Sequence, residues 1–323
     1  MKAVMVDQRF FKDYSMEQEL CAKHGIELVL TDVKDEADYI EKCRDADAIL
    51  IVYSPTPKSV IDKLEKCKVM VRYGVGFDVI DVEAATAKGI AVCNIPDYCA
   101  EEVAAHTAAL ALDCLRKITY LNNTVHNGEW VAGAGYPIRR LSSMTYGICG
   151  FGNIARTAAK FMKNFGFNII AYDPYVGEEA FEKLGVKKVD LDELCRESDL
   201  ISVHVPLNKS TFHLIAKEQF AMMKKGVIII NTARGGLVCQ EDLLDAIDAG
   251  IVKAAGLDVL ETEPITDPNE RILKYDNVII TPHSAAQGVE AIGDLRRKVV
   301  EVAAAVLEGD LPFNVVNKKD LLK

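Results

Sequence analysis

The sequence predicts an α/β protein built as two doubly wound, parallel-sheet domains with a cleft between them, and three observations carry that expectation. Strand-length apolar runs alternate with helical stretches from the N-terminus onward. A glycine turn at residues 150–152 joins a strand to a helix within a βαβ unit. The chain has 323 residues, half of them apolar, which is enough for two cores of ordinary size.

In chain order, residues 3–6, 27–30, 48–52, 69–72 and 90–93 read as strands. The stretches 16–23, 37–43, 59–66 and 82–88 read as the helices between them. Together they make one α/β domain of roughly 95 residues. Residues 100–121 follow as a helical segment with alanine and leucine on several faces and few charges. Such a segment is buried on more than one side, and suits a bridge between domains or a dimer interface. Strands at 146–149, 168–172, 201–205, 227–230, 254–259 and 278–280, with a helix at 154–165, build the second domain. A last helix at 289–307 carries Leu295, Val299, Val300 and Ala303 on an apolar face, and its return to the first domain would make that domain discontinuous. The expected division is therefore 1–98 plus 287–323 for a substrate (catalytic) domain and 99–286 for a dinucleotide-binding domain.

The stretch from Thr145 to Ala155 is the most specific. Gly150 permits a tight turn, Gly152 lets backbone N–H groups approach a pyrophosphate at a helix N-terminus, and Ala155 is small enough for close helix–strand packing. Asp173 closes the next strand about 20 residues on, where an acid binds the adenine ribose hydroxyls. Pro174 and Tyr175 follow it, with no arginine or lysine close behind. A lone carboxylate there repels a 2′-phosphate, so NAD(H) is expected over NADP(H). These features make both domains Rossmann-like or flavodoxin-like.

The formal charge of −10 argues against a nucleic-acid partner. The longest apolar runs, such as residues 227–230, are far short of a membrane span. Residues 1–6 run straight into Asp7 without a small-residue cleavage site, so no secretory signal is expected and a cytoplasmic location is. Nine cysteines with no Cys-x-x-Cys pair, and no histidine at ligand spacing, read as free thiols in a reducing compartment, with no metal site expected.

Three features sit at the C-terminal ends of predicted strands, where open α/β sheets bind ligands: Arg234 with two following glycines, the run from Asp258 to Glu263, and His283 after Pro282. An arginine, a carboxylate and a histidine together suit reduction of a 2-keto acid. The guanidinium fork can hold the substrate carboxylate and polarise the adjacent carbonyl. The histidine can deliver a proton while a nicotinamide delivers hydride, and the carboxylate favours its charged form and fixes its tautomer.

Taken with the glycine motif and with the stretches 72–78, 94–98, 102–107 and 204–207, these residues resemble the D-isomer-specific 2-hydroxyacid dehydrogenases over nearly the whole chain. The resemblance implies that Arg234 binds substrate, Glu263 supports the histidine and His283 is the acid/base. It implies that backbone N–H groups of Val75 and Gly76 hold the substrate carboxylate. Asn153 and Ile154 would meet the pyrophosphate and Asp173 the ribose. Val205, Pro206, Thr211, Thr232 and Ala233 would line the dinucleotide, and Asp258 would lie near the nicotinamide amide. It also implies an interdomain cleft that closes on binding, and a homodimer. Tyr53 and Tyr98 are further candidates for pocket lining. His106, in an alanine-rich helix, reads as a satisfied core histidine, and Trp130 as packing in an interdomain or intersubunit loop.

Within that family the chain resembles the branch of the C-terminal binding proteins through residues 91–96, 173–175, 234–238 and 314–317, but Ala286 stands where that branch has an indole soon after the histidine. The reading that follows is NAD(H)-dependent interconversion of a small or medium 2-keto acid and the (R)-2-hydroxy acid. The alternatives are a phosphoglycerate- or phosphoerythronate-type dehydrogenase, disfavoured because residues 51–57 carry no basic side chain, and an NADH-sensing scaffold.

Overall fold

A computed structural model describes residues 1–135 and 137–322. The chain divides into two compact units, residues 1–98 with 288–323, and residues 99–287. Each is an all-parallel sheet with helices over both faces, so its central strands are buried on both sides and read as continuous apolar runs.

In the first unit the strands β1 (Lys2–Met5), β2 (Glu27–Leu30), β3 (Ala48–Ile51), β4 (Val69–Arg72) and β5 (Ala91–Cys93) lie in the order β2-β1-β3-β4-β5. This is the flavodoxin-like order, whose direction reverses between β1 and β3. One face packs against the Val289–Leu307 helix through Leu295, Val299, Val300 and Ala303; the other carries Tyr39, Val60, Ile61 and Ala85. The final turn is fastened to β5 by side-chain amides. Asn317 accepts from Val92 N–H at 2.9 Å and donates to the Ile90 carbonyl at 2.9 Å, and Asn314 donates to the Asn94 carbonyl at 2.6 Å.

The second unit holds β6 (Thr145–Cys149), β7 (Asn168–Tyr172), β8 (Lys187–Lys188), β9 (Leu200–Val203), β10 (Val227–Asn231), β11 (Val252–Leu257) and β12 (Val278–Ile280). Their order, β12-β11-β10-β9-β6-β7-β8, is the dinucleotide-binding arrangement with one added edge strand, and it reverses between β6 and β9.

Two expectations need correction. The helical segment 100–121 is two helices, Ala100–Arg116 and Ile118–His126, broken at Lys117, whose φ is +57°. Asp113 causes the break by accepting from the Thr119 N–H at 2.8 Å and its hydroxyl at 2.5 Å, which starts a new helix. The helix expected over 59–66 stops at Ile61, because Lys88 Nζ takes the carbonyls of Ile61, Asp62 and Leu64 at 3.1, 3.0 and 2.6 Å. Trp130, read as interdomain or intersubunit packing, is 86% exposed in the single chain.

Candidate active site

The nucleotide end of the second unit is built by glycine geometry. Gly150 ends β6 at φ +94°, and a Cβ there would come within 2.9 Å of the His204 backbone, so only glycine keeps this turn beside the end of β9. Gly152 caps the Asn153–Asn164 helix, and a Cβ built on it meets no protein atom within 4 Å. That helix N-terminus thus opens on free space, which is the geometry a pyrophosphate requires. Asp173 frames it: Oδ2 accepts from Phe151 N–H at 2.8 Å, while Oδ1 accepts from Tyr175 and Val176 N–H at 2.9 and 3.2 Å. With two acceptor directions per oxygen, one direction on Oδ2 is left for a ribose hydroxyl.

Across the reversal, Val205 comes beside Gly150. Thr211 pins its own loop, donating to the Pro206 carbonyl at 2.6 Å and accepting from Asn208 N–H at 2.8 Å. Thr232 is buried against Thr107, hydroxyl to hydroxyl at 2.8 Å. His204 closes a chain in which Tyr146 OH lies 2.5 Å from Ser202 Oγ and Ser202 Oγ lies 2.8 Å from His204 Nε2. Burial holds this imidazole down at about 4, so it is neutral near pH 7.

The polar residues converge at the ends of β10, β11 and β12. Asn231 folds the first of these ends, accepting from Ala233 N–H at 3.1 Å and donating to the Arg234 carbonyl at 2.9 Å. Gly235 follows, and a Cβ there would stand 1.9 Å from the Leu260 carbonyl oxygen. Its value is close approach of two backbones. That approach brings the 258–263 segment against the arginine turn. Glu263 Oε1 accepts from Leu260 N–H at 2.8 Å, and Oε2 lies 2.8 Å from His283 Nδ1. Burial alone would raise the Glu263 carboxyl. The bonds to His283 and the Leu260 N–H, with the charges of His283 and Arg234, outweigh it and hold the group below its ordinary value.

His283 has φ +52°, left-handed backbone that a non-glycine residue occupies at a cost of about 1–2 kcal/mol. The loop is held there by Asp258. This buried carboxylate accepts from the Thr281 hydroxyl at 2.5 Å and from the Ser284 and Ala285 N–H groups, both at 2.9 Å, while its carbonyl takes the His283 N–H at 2.8 Å. His106 reaches the same knot, with Nε2 2.9 Å from Thr281 Oγ1. It is satisfied, as expected, through the strand end that leads into the His283 loop. The His283 side chain remains 36% exposed, so Nε2 is accessible with Nδ1 committed to Glu263.

In the first unit, the 74–76 turn follows β4. The Asn94 side chain donates to the Val75 carbonyl at 2.6 Å and Ile95 N–H to the Gly74 carbonyl at 2.8 Å, which leaves the amides of Val75 and Gly76 out of those bonds. Tyr53 is half exposed, with the Arg72 guanidinium 5.9 Å from its ring centre; Tyr98 is partly buried against the core. Asp7 was missed by sequence reading. Its Oδ2 accepts from Val52, Tyr53 and Ser54 N–H at 2.7, 3.0 and 3.3 Å, and Oδ1 from Ser54 Oγ at 2.6 Å. An acid directly after the first strand of such a sheet was the available signal.

Comparison with known proteins decides the family. A family model described as the D-isomer specific 2-hydroxyacid dehydrogenase, NAD binding domain, matches residues 108–285. The chain belongs to the D-isomer-specific 2-hydroxyacid dehydrogenases. It is 45% identical over 287 residues to a D-3-phosphoglycerate dehydrogenase of Methanocaldococcus jannaschii, covering 88% of this chain and 54% of that one. It is 43% identical over 268 residues to a hydroxypyruvate reductase of Thermotoga maritima, covering 82% and 86%. The chain thus spans about half the length of the first relative and most of the second. A crystal structure of D-lactate dehydrogenase from Aquifex aeolicus, complexed with NAD and lactic acid, superposes with a TM-score of 0.86 at 31% identity over 96% of each chain.

Proposed function

We propose that this dehydrogenase interconverts a small or medium unphosphorylated 2-keto acid and its (R)-2-hydroxy acid with NAD(H). The observation that carries the reading is the Glu263–His283 pair at 2.8 Å on a loop whose backbone Asp258 fixes. When bound, NADH supplies the hydride. Gly150, Gly152, Asn153 and Ile154 would hold its pyrophosphate and Asp173 its ribose, with Val205, Pro206, Thr211, Thr232 and Ala233 lining it. Glu263 holds Nδ1, so the imidazolium presents its Nε2–H and gives that proton to the substrate oxygen. Arg234 neutralises the carboxylate and polarises the carbonyl. From the sequence, the Val75 and Gly76 N–H groups are proposed for the substrate carboxylate, and Tyr53 and Tyr98 for pocket lining. Asp258 acts in this reading by positioning His283; its buried oxygens leave little for the cofactor amide.

A phosphorylated substrate is the second reading, favoured by the 45% identity to a phosphoglycerate dehydrogenase and by Arg72 beside Tyr53, a cation outside the 51–57 stretch. NADH oxidation with glyoxylate, pyruvate, hydroxypyruvate and phosphohydroxypyruvate separates the two. The first reading expects turnover of an unphosphorylated acid, lost in His283→Ala; preference for phosphohydroxypyruvate would replace it with the second. NADH binding without any turnover would favour a sensing scaffold.

A homodimer is part of the proposal. Ile118, Tyr120 and Val125 on one short helix, and Trp130 and Val131 just after it, are exposed and apolar, which a second copy would cover. Light scattering of the purified protein tests this, and a monomer would refute it. No helix among the described residues is long and apolar enough to cross a membrane, which fits the proposed cytoplasmic location. With a formal charge of −10, no nucleic-acid partner is proposed.

A further inference from the structure

Next to the catalytic segments, but outside them, three side chains of different chemistry meet: the imidazole of His213, the thiol of Cys239 and the carboxylate of Glu261. One ligand-type atom from each lies within 4.8 Å of the other two. Sequence spacing hides the group because it draws on three separate segments. His213 follows the Thr211 loop at φ +52°, with its N–H on the Gly236 carbonyl at 2.8 Å. Cys239 caps the Gln240–Asp248 helix, and Glu261 lies beyond β11, accepting from the Gln240 N–H at 2.7 Å.

We propose that His213, Cys239 and Glu261 form a binding site for a borderline-soft divalent transition metal, with Zn²⁺ as the type ion. His213 Nε2 and Glu261 Oε1 are 2.9 Å apart, yet Nε2 is buried and makes no aligned hydrogen bond. Two such atoms facing a common point fit ligands of one ion better than a donor and acceptor pair. The Phe212 ring stacks on the imidazole at 3.9 Å and 21°, fixing its plane. Tetrahedral Zn²⁺ holds nitrogen and oxygen at about 2.0–2.2 Å and sulfur at about 2.3 Å, so its ligand atoms sit roughly 3.3–3.6 Å apart. The nitrogen and oxygen, 2.9 Å apart, need to open by roughly half an ångström, and the sulfur to close by about 1.2 Å at most, within reach of a rotamer adjustment. A thiolate and a carboxylate neutralise the dication. On binding, the Cys239 thiol proton leaves to buffer and the sulfur lone pair forms the new bond. Three protein ligands leave the fourth position for water.

The site ties together the 211–215 loop, the start of the Gln240–Asp248 helix and the segment that ends in Glu263, so a bound ion adds a cross-link to the native fold. The test uses full-length protein freed of metal by chelator, then dialysed against micromolar Zn²⁺. The expected result is about one equivalent retained per chain, a rise in Tm with added Zn²⁺, and, with Co²⁺ as probe, a thiolate-to-metal charge-transfer absorption. Cys239→Ser should lose all three, and Glu261→Gln should weaken Zn²⁺ binding at least about tenfold. No retained Zn²⁺, or equal retention by wild type and Cys239→Ser, overturns the proposal, as does a Co²⁺ adduct lacking the sulfur transition.

Discussion

The two sheets of this protein reverse direction in the same way, but they treat the crevice at the reversal oppositely. Beyond β6 and β9, two glycines leave a twelve-residue helix pointing its N–H groups into open space, with an acid at the rim. Beyond β1 and β3, Asp7 turns inward and takes three backbone N–H groups and a hydroxyl of the 52–54 turn. A crevice at a topological switch point is a property of the fold, whereas its use depends on which residue occupies it. In the first unit a carboxylate of the chain sits where donors gather; in the second the helix N-terminus faces open space.

The largest expected effect is on chemistry at the second sheet. His283→Ala should lower kcat by about 10²–10⁴ while NADH affinity stays within about twofold, measured by steady-state kinetics and fluorescence titration. Asp173→Ala should weaken NADH by about tenfold and shrink or invert the preference over NADPH; an unchanged preference would remove Asp173 from cofactor selection. Asp7→Ala should do the reverse, costing about 1–3 kcal/mol of stability by orphaning the 52–54 amides and leaving NADH affinity unaltered, which denaturant melts and titration together would show. The smallest effect is on pH. Because His204 is held at about 4 against an ordinary 6.5, the unfolded chain takes its proton first. Its neutral form therefore supports folding fully above pH 6.5, and that contribution is lost as the pH falls toward 4. His204→Gln should flatten the decline in Tm over that interval.

Much of the fold was legible because the central strands of both sheets are buried on two faces, so Ala48–Ile51 and Val227–Asn231 stand out as apolar runs. The glycine turn and Asp173 were legible from spacing. Less visible were contacts made at a distance. Gly235 reads as a flexible residue, yet its role comes from Leu260, 25 positions on, and nothing local announces that approach. Asp258 looks like a ligand-facing acid after a strand but is spent on the loop that carries His283. The break at Lys117 was hidden because Asp113 acts on Thr119 through a side chain whose orientation the helical periodicity does not encode.

The contrast between the two crevices is tested most directly by an NADH titration of wild-type protein against Gly152→Asp, with folding checked by circular dichroism. A Cβ at Gly152 meets no protein atom within 4 Å, so a carboxylate on it would project into the place proposed for the pyrophosphate. The account predicts one NADH per wild-type chain and a loss of at least about a hundredfold in affinity in the folded variant. Undiminished NADH binding by Gly152→Asp would contradict it.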